Sequence, residues 1–321
     1  MENDHVNAVS FNQTGDCCAH ATTRGFSIHT MNPQHESIYR DFGGTSLGLV
    51  EMLYSTNIMV LVGEGEHDSA FPCTKAIIWD DAEERAIGEI CHGSPVRNVK
   101  LGRNRVAVCL DHAVYVYDLE NLECIHKMET IHNPLGILAI VTTPDKSIVA
   151  TLGRGVGEVQ LVTDDGTVKT VKCHKGHIAA LALSPNGRFL ATASSRGTIV
   201  RIFSTEDGSK AEELRRGTHP ATIHSLAFSF DTPTWLACTS DKKTLHVFHL
   251  FTDTQEKEHK VWLSWFHILG KPPRRSCLQV STEQHHECLV SFHASHPNTL
   301  TVLSKNGTYQ RILTLVDSPS S

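Results

Sequence analysis

Along this chain apolar residues recur with period two, in runs of about six residues that are cut by Gly, Pro, Asn and Asp, so the predicted elements are short β-strands joined by tight turns. The stretch from Ile178 to Phe203 is the clearest case. Ile178-Ala-Ala-Leu-Ala-Leu alternates up to a Ser-Pro-Asn-Gly turn, a small-residue strand follows through Ala193, and Thr198-Ile-Val-Arg-Ile-Phe203 closes the unit. The same apolar strand, turn, small-residue strand, turn and β-branched or aromatic strand recurs seven times, beginning near Val6, Leu47, Val96, Leu135, Ile178, Ile223 and Cys288. No long stretch has the 3.6-residue period of an amphipathic helix, so an all-β chain is expected.

A unit of this kind, spaced by about 40 to 45 residues, resembles a WD40-type propeller blade, and 321 residues hold seven. The expected fold is a seven-bladed β-propeller over residues 1–316 as a single domain, followed by a disordered tail, 317–321, of Asp, Ser and Pro. Trp79-Asp80 is the single Trp-Asp dipeptide that marks such blades. Composition is ordinary for a globular protein, with 40% hydrophobic and 20% charged residues. Met1-Glu-Asn-Asp-His5 lacks the basic flank and apolar run of a signal peptide, and no apolar stretch approaches the thickness of a bilayer, so a cytoplasmic protein with mostly reduced cysteines is expected. The net charge of -6 argues against general nucleic-acid binding, which needs a broad basic surface.

Any anion site must then be local, and one region qualifies. Leu214-Arg215-Arg216-Gly217 lies between the fifth and sixth repeats, where two adjacent arginines on one strand must project to opposite sides and can serve two pockets. Arg196, Arg201, Lys210, Lys242 and Lys243 fall in the same two repeats, with His174, His219, His224 and His246 beside them. Such a patch suits a multiply phosphorylated headgroup. Enzymatic signals are weak by comparison. Cys173-His174-Lys-Gly-His177 and His285-His286-Glu-Cys288 contain metal-ligand residue types without the paired spacing of a zinc site, and 21 histidines make close pairs common. Gly153-Arg-Gly-Val-Gly157 leads into a strand, so it lacks the helix N-terminus that would hold a pyrophosphate and reads as a turn. No catalytic residue, metal or cofactor is assigned.

Leu-Arg-Arg-Gly between blades 5 and 6, together with Ala193-Ser-Ser-Arg-Gly-Thr-Ile-Val-Arg201, Gly48-Leu-Val-Glu-Met-Leu53 and Ile78-Trp-Asp-Asp81, resembles the PROPPIN family, the phosphoinositide-binding propellers of autophagy. The likeness covers almost the whole chain and is nearest to short, WIPI-type members. It implies two headgroup sites. The first would use His174, Ser194, Gly197, Thr198, Arg201 and Arg215; the second would use Arg216, His219, Ser240, Lys242, Thr244 and His246. Blade 5 carries Gly197-Thr198 where blade 6 carries Lys243-Thr244, which would narrow the second pocket or add a cation to it. Both arginines are expected to be exposed and dispensable for folding, and both His174 and His246 to titrate near the ordinary histidine value of about 6.5.

The sixth repeat is interrupted by residues 251–275, in which Trp262, Leu263, Trp265, Phe266, Ile268 and Leu269 precede Lys271, Arg274 and Arg275. This composition suits the bilayer interface and resembles the membrane-inserting loop of the family; the alternative is a satellite cluster folded back on the propeller. The resemblance further implies membranes bearing phosphatidylinositol 3-phosphate or the 3,5-bisphosphate, located at preautophagosomal, endosomal or vacuolar sites. It also implies an autophagy lipid-transfer protein or similar effector, engaged through turns of blades 1 to 3 such as Asn12 to Asp16 and the Gly63 to Asp68 loop, by a monomeric adaptor. A protein-only scaffold is the competing function.

Overall fold

The computed structural model describes residues 4–31, 34–65, 70–230, 235–250, 274–282, 287–296 and 299–313. Within them the chain forms seven antiparallel meanders and no helix. Blade 1 contains β1 (Val6–Phe11), β2 (Cys17–Thr22), β3 (Gly25–Met31) and β4 (Gln34–Asp41). Blade 2 contains β5 (Leu47–Met52), β6 (Ile58–Gly63), β7 (Lys75–Asp80) and β8 (Arg85–Cys91). Blade 3 contains β9 (Asn98–Leu101), β10 (Arg105–Cys109), β11 (Ala113–Asp118) and β12 (Cys124–Glu129). Blade 4 contains β13 (Leu138–Thr142), β14 (Ser147–Leu152), β15 (Glu158–Thr163) and β16 (Val168–Lys172). Blade 5 contains β17 (Ile178–Leu183), β18 (Phe189–Ser194), β19 (Ile199–Ser204) and β20 (Lys210–Arg215).

Blade 6 contains β21 (Ile223–Phe228), β22 (Trp235–Ser240) and β23 (Thr244–His249), and its fourth strand arrives late. The short β24 (Arg274–Arg275) joins blade 5 first, and β25 (Leu278–Ser281) then completes blade 6. Blade 7 contains β26 (Cys288–Phe292), β27 (Thr299–Ser304) and β28 (Tyr309–Leu313), three strands among the described residues.

The first strands of the blades meet one another in a closed cycle: β1 with β5, β5 with β9, β9 with β13, β13 with β17, β17 with β21, β21 with β26 and β26 with β1. That cycle is the axis of a seven-bladed propeller. Because each of the seven sheets is built from consecutive chain apart from β24, closure rests on packing of blade 7 against blade 1 and not on a strand exchanged between them, among the described residues. Ala294 N donates to Thr14 O at 2.9 Å and Ser295 Oγ to Asp16 Oδ1 at 2.5 Å. Gly15 is required at this seam, since it has φ +70° and a Cβ there would lie 1.9 Å from Phe292 O.

Two of the repeat boundaries differ from the sequence-based expectation. Val96 and Leu135 are not strand residues; their blades begin at Asn98 and Leu138. Leu135 is 71% exposed in a linker whose shape is set by Asn133, a fully buried side chain that accepts from Ile137 N at 2.9 Å and donates to Ile137 O at 3.2 Å. An apolar residue beside a proline had extended the apparent strand. Gly153 to Gly157 is the turn between β14 and β15, held by Gly155 N donating to the Glu158 carboxylate at 3.0 Å.

Between blades 5 and 6 the strands contribute one apolar cluster, including Ala191, Val200, Ile202 and Leu214 from blade 5 and Ile223, Leu236 and Phe248 from blade 6. It fixes the two blades against each other directly beneath the double arginine. The tail 317–321 and the aromatic residues of the 251–275 interruption, Trp262, Leu263, Trp265, Phe266, Ile268 and Leu269, lie outside the described residues.

Candidate functional site

Strand alternation sets the geometry. In β20, Glu213 stands opposite Arg201 and Arg215 opposite Ile199, so Glu213, Arg215 and Arg201 share one face of blade 5. Leu214 is fully buried on the other face, among the residues packed against blade 6. Arg216, the first residue past the strand, follows it to that side.

On the first face the Arg201 guanidinium is held at both ends. Its Nε donates to Glu213 Oε2 at 2.8 Å and its Nη1 to Cys173 O at 2.8 Å, while His174 Nδ1 lies 3.4 Å away. The His174 ring is buried, with Nε2 on Thr192 Oγ1 at 3.1 Å and Thr192 O at 3.3 Å. Burial, and then the positive Arg201, push its pKa down to about 4. Burial works to raise the Glu213 carboxyl, but Arg201 and Lys210 outweigh it and hold the group below its ordinary value. Arg215 is half-buried and its side chain makes no hydrogen bond or ion pair among the described residues.

The turn between β18 and β19, residues 195–198, packs against the linker to blade 6, where Ala221 N donates to Arg196 O at 3.2 Å. Gly197 has φ +63°, and a Cβ there would meet Ala221 O at 1.8 Å, so the backbone approaches the following blade as only glycine allows. Thr198 is buried and its carbonyl accepts from Arg216 N at 3.0 Å and from Gly217 N at 3.3 Å. Ser194 is half-buried, and its carbonyl accepts from Gly197 N at 2.8 Å.

On the second face Arg216 is 6% exposed, unlike the exposed residue expected. Its Nε donates to Gly197 O at 2.6 Å and its Nη2 to His219 O at 2.5 Å, so the cation is anchored by two backbone carbonyls and ties the blade 5 turn to the linker. His219 contributes that carbonyl; its exposed ring meets Thr218 Oγ1 at 3.2 Å. His246 is buried across from this arginine, with Nε2 on Thr244 Oγ1 and Nδ1 on Ser276 Oγ, both at 3.2 Å. Burial and then Arg216 push its pKa down to about 4. Neither His174 nor His246 therefore titrates near 6.5. Ser240 is buried and Lys242 exposed, the latter paired with Asp241 at 3.2 Å. Lys243 sits exposed at φ +53°, in the left-handed conformation that Gly197 adopts in blade 5.

The structure thus brings His174, Arg201 and Arg215 to one face, and Arg216, Thr244 and His246 to the other, joined through the turn carrying Gly197 and Thr198. Sequence reading left four contributors out of the site. Glu213 was legible, since two residues before Arg215 on one strand is the same face. Ser276 and the pair Arg274 and Arg275 carry no local signal, because their positions depend on where the chain returns after residues 251–273. That return is in the site: β24 lies parallel to β20, with Leu214 opposite Arg274 and Arg215 opposite Arg275. As for metal, Cys173 Sγ is spent on Val171 O at 3.5 Å and His174 on Thr192, and no group of three potential ligands occurs among the described residues.

Comparison with known proteins gives this arrangement its context. The PROPPIN family model matches residues 5–313. The chain belongs to the PROPPIN family. It is 32% identical over 312 residues to autophagy-related protein 18e of Arabidopsis thaliana, covering 95% of this chain and 83% of that protein. It is 38% identical over 245 residues to SVP1-like protein 2 of Neurospora crassa, covering 76% of this chain and 56% of the relative. Among solved structures, Hsv2 of Kluyveromyces marxianus superposes with a TM-score of 0.80 at 23% identity, covering 98% of this chain and 94% of that one. A complex of Atg21 with the coiled coil of Atg16 also superposes, with a TM-score of 0.76 at 21% identity over 98% and 95% of the two chains. This PROPPIN propeller therefore stands among autophagy-related proteins, and its fold is theirs.

Proposed function

We propose that this PROPPIN is a non-catalytic adaptor that docks on membranes bearing phosphatidylinositol 3-phosphate or the 3,5-bisphosphate through two headgroup sites, and recruits effectors of autophagosome formation. The observation that carries the reading is the division of Arg215 and Arg216 between two faces of one blade edge, the first face also carrying His174 against Arg201 and the second His246 near Arg216, both histidines held neutral by burial and by the neighbouring arginine. The guanidinium supplies charge and a planar fork for phosphate, while the neutral imidazoles, engaged by Thr192 and by Thr244 and Ser276, hold the walls of the two sites without adding charge. Two weak sites on one rigid body gain by avidity on a surface, which suits reversible attachment.

The aromatic segment around Trp262, Trp265 and Phe266 supplies the second contact in this reading, by interfacial insertion after the headgroups have oriented the propeller. Blades 1 to 3, remote from the double arginine, remain for a protein partner, and the Atg21 complex with an Atg16 coiled coil supports an elongated helical partner as one class. The site of action in this reading is the cytoplasmic face of autophagosome-related and endosomal or vacuolar membranes.

Flotation with liposomes containing phosphatidylinositol 3-phosphate tests the reading. The parent protein should float with these vesicles and not with vesicles of neutral lipid, and the Arg215→Thr/Arg216→Thr variant should remain in the unbound fraction. Undiminished flotation of the folded double variant, or no flotation of the parent, would favour a protein-only scaffold.

A further inference from the structure

Four arginines crowd the outer edge of blades 5 and 6 besides Arg216, and they divide into two kinds. Arg201 is held by Glu213 and Cys173 O, and Arg274 by Glu212 Oε1 and His249 O, each at 3.2 Å. The side chains of Arg215 and Arg275 make no hydrogen bond, ion pair or ring contact among the described residues. These two are register partners: β24 runs parallel to β20 and sets Arg275 beside Arg215. Register partners in a parallel pair project to the same face, and adjacent strands lie about 4.8 Å apart. Two like charges so placed, with no carboxylate supplied, destabilise the pairing. Glu213 shares that face but is engaged by Arg201 and Lys210. The Glu212 and His249 contacts of Arg274 anchor the strand that creates this cost, so the juxtaposition is built into the sheet.

We propose that Arg215 and Arg275 form a two-guanidinium clamp for a single phosphate monoester, making Arg275, on the strand returning from residues 251–273, a ligand of the first site. This rests on the headgroup reading above and extends it. A dianionic phosphate between the two forks reverses the repulsion, and its binding strengthens the attachment of β24 to β20. Headgroup occupancy and the anchoring of the returning strand are thereby the same event.

Calorimetric titration with soluble inositol 1,3-bisphosphate and, separately, with inorganic phosphate tests the clamp. Arg275→Gln should weaken the bisphosphate about tenfold, the loss expected for one charge-assisted contact. Arg275→Lys should recover only part of it, and Arg103→Gln, a surface arginine on blade 3, should stay within about twofold of the parent. Arg215→Gln and Arg275→Gln should be non-additive, because either loss opens the clamp. If Arg215→Gln weakens binding while Arg275→Gln matches the parent, the clamp is wrong and the headgroup reading stands. If inorganic phosphate binds in an Arg275-dependent way and the inositol phosphate does not, the clamp stands and the headgroup reading falls. If the parent binds neither, both fall.

Discussion

Blades 5 and 6 place different chemistry at equivalent points of the same meander. In blade 5 the residue opposite Thr192 is Arg201, answered by Glu213 on the next strand; in blade 6 the residue opposite Cys238 is His246, answered by Gln279. The fifth blade is lined with an ion pair and the sixth with neutral groups. The second site instead draws its charge from its neighbour, through Arg216. The turns differ as well. Residues 195–198 in blade 5 make a connection one residue longer than 241–243 in blade 6, and the left-handed position is glycine in the first and Lys243 in the second. Equivalent meanders are thus asymmetric, and blade 5 supplies the arginines of both candidate sites.

The sharpest way to break that comparison is Gly197→Ala. The new Cβ would collide with Ala221 O and adopt an unfavourable φ, so a loss of about 3 kcal/mol in unfolding free energy is expected, measured by chemical denaturation. A loss under about 1 kcal/mol would mean that the close approach of the blades at Gly197 is not rigid. Next in size, Arg216→Thr should cost about 2 kcal/mol, because two charge-assisted hydrogen bonds to carbonyls are removed from a buried place. Arg215→Thr, without such bonds, should stay within about 0.5 kcal/mol. Equal stability effects would dissolve the distinction between an anchored and a free arginine.

The two histidines provide a further contrast. Both have folded-state pKa values near 4, below the 6.5 of an unperturbed histidine, so the unfolded chain takes up protons first as pH falls. Their contribution to stability is complete above about pH 6.5 and is lost progressively toward pH 4. Thermal unfolding followed across this window should fall less steeply in the His174→Gln/His246→Gln variant than in the parent. In Arg216→Thr, the His246 share of the slope should shrink while the His174 share persists, since Arg216 depresses only the former. Smallest of all, Lys243→Gly should stabilise by about 0.5 kcal/mol, as relief from the left-handed conformation is partly offset by greater freedom in the unfolded chain. Any loss of stability there would mean that the lysine side chain itself supports blade 6.

Much of this was legible in the chain. Period-two runs and the Pro185-Asn186-Gly187 turn locate the blades, and alternation alone assigns Arg215 and Arg216 to separate faces. What alternation cannot supply is depth. From sequence Arg216 reads as an exposed cation, although it is buried, because its partners are carbonyls of Gly197 and His219, and backbone acceptors leave no mark on composition. The histidines read as ordinary from sequence for the same reason: their shift comes from burial and from arginines that only the fold brings near. The parallel bridge between Leu214-Arg215 and Arg274-Arg275 joins segments some sixty residues apart, and no periodicity encodes such a pairing.

The claim on which the account turns is that one blade edge carries two independent phosphate sites. Calorimetric stoichiometry with soluble inositol 1,3-bisphosphate measures this without any membrane. The parent should bind two equivalents, with Arg215→Thr and Arg216→Thr each retaining one. One equivalent in the parent, or an unchanged count in either single variant, would contradict the two-site arrangement.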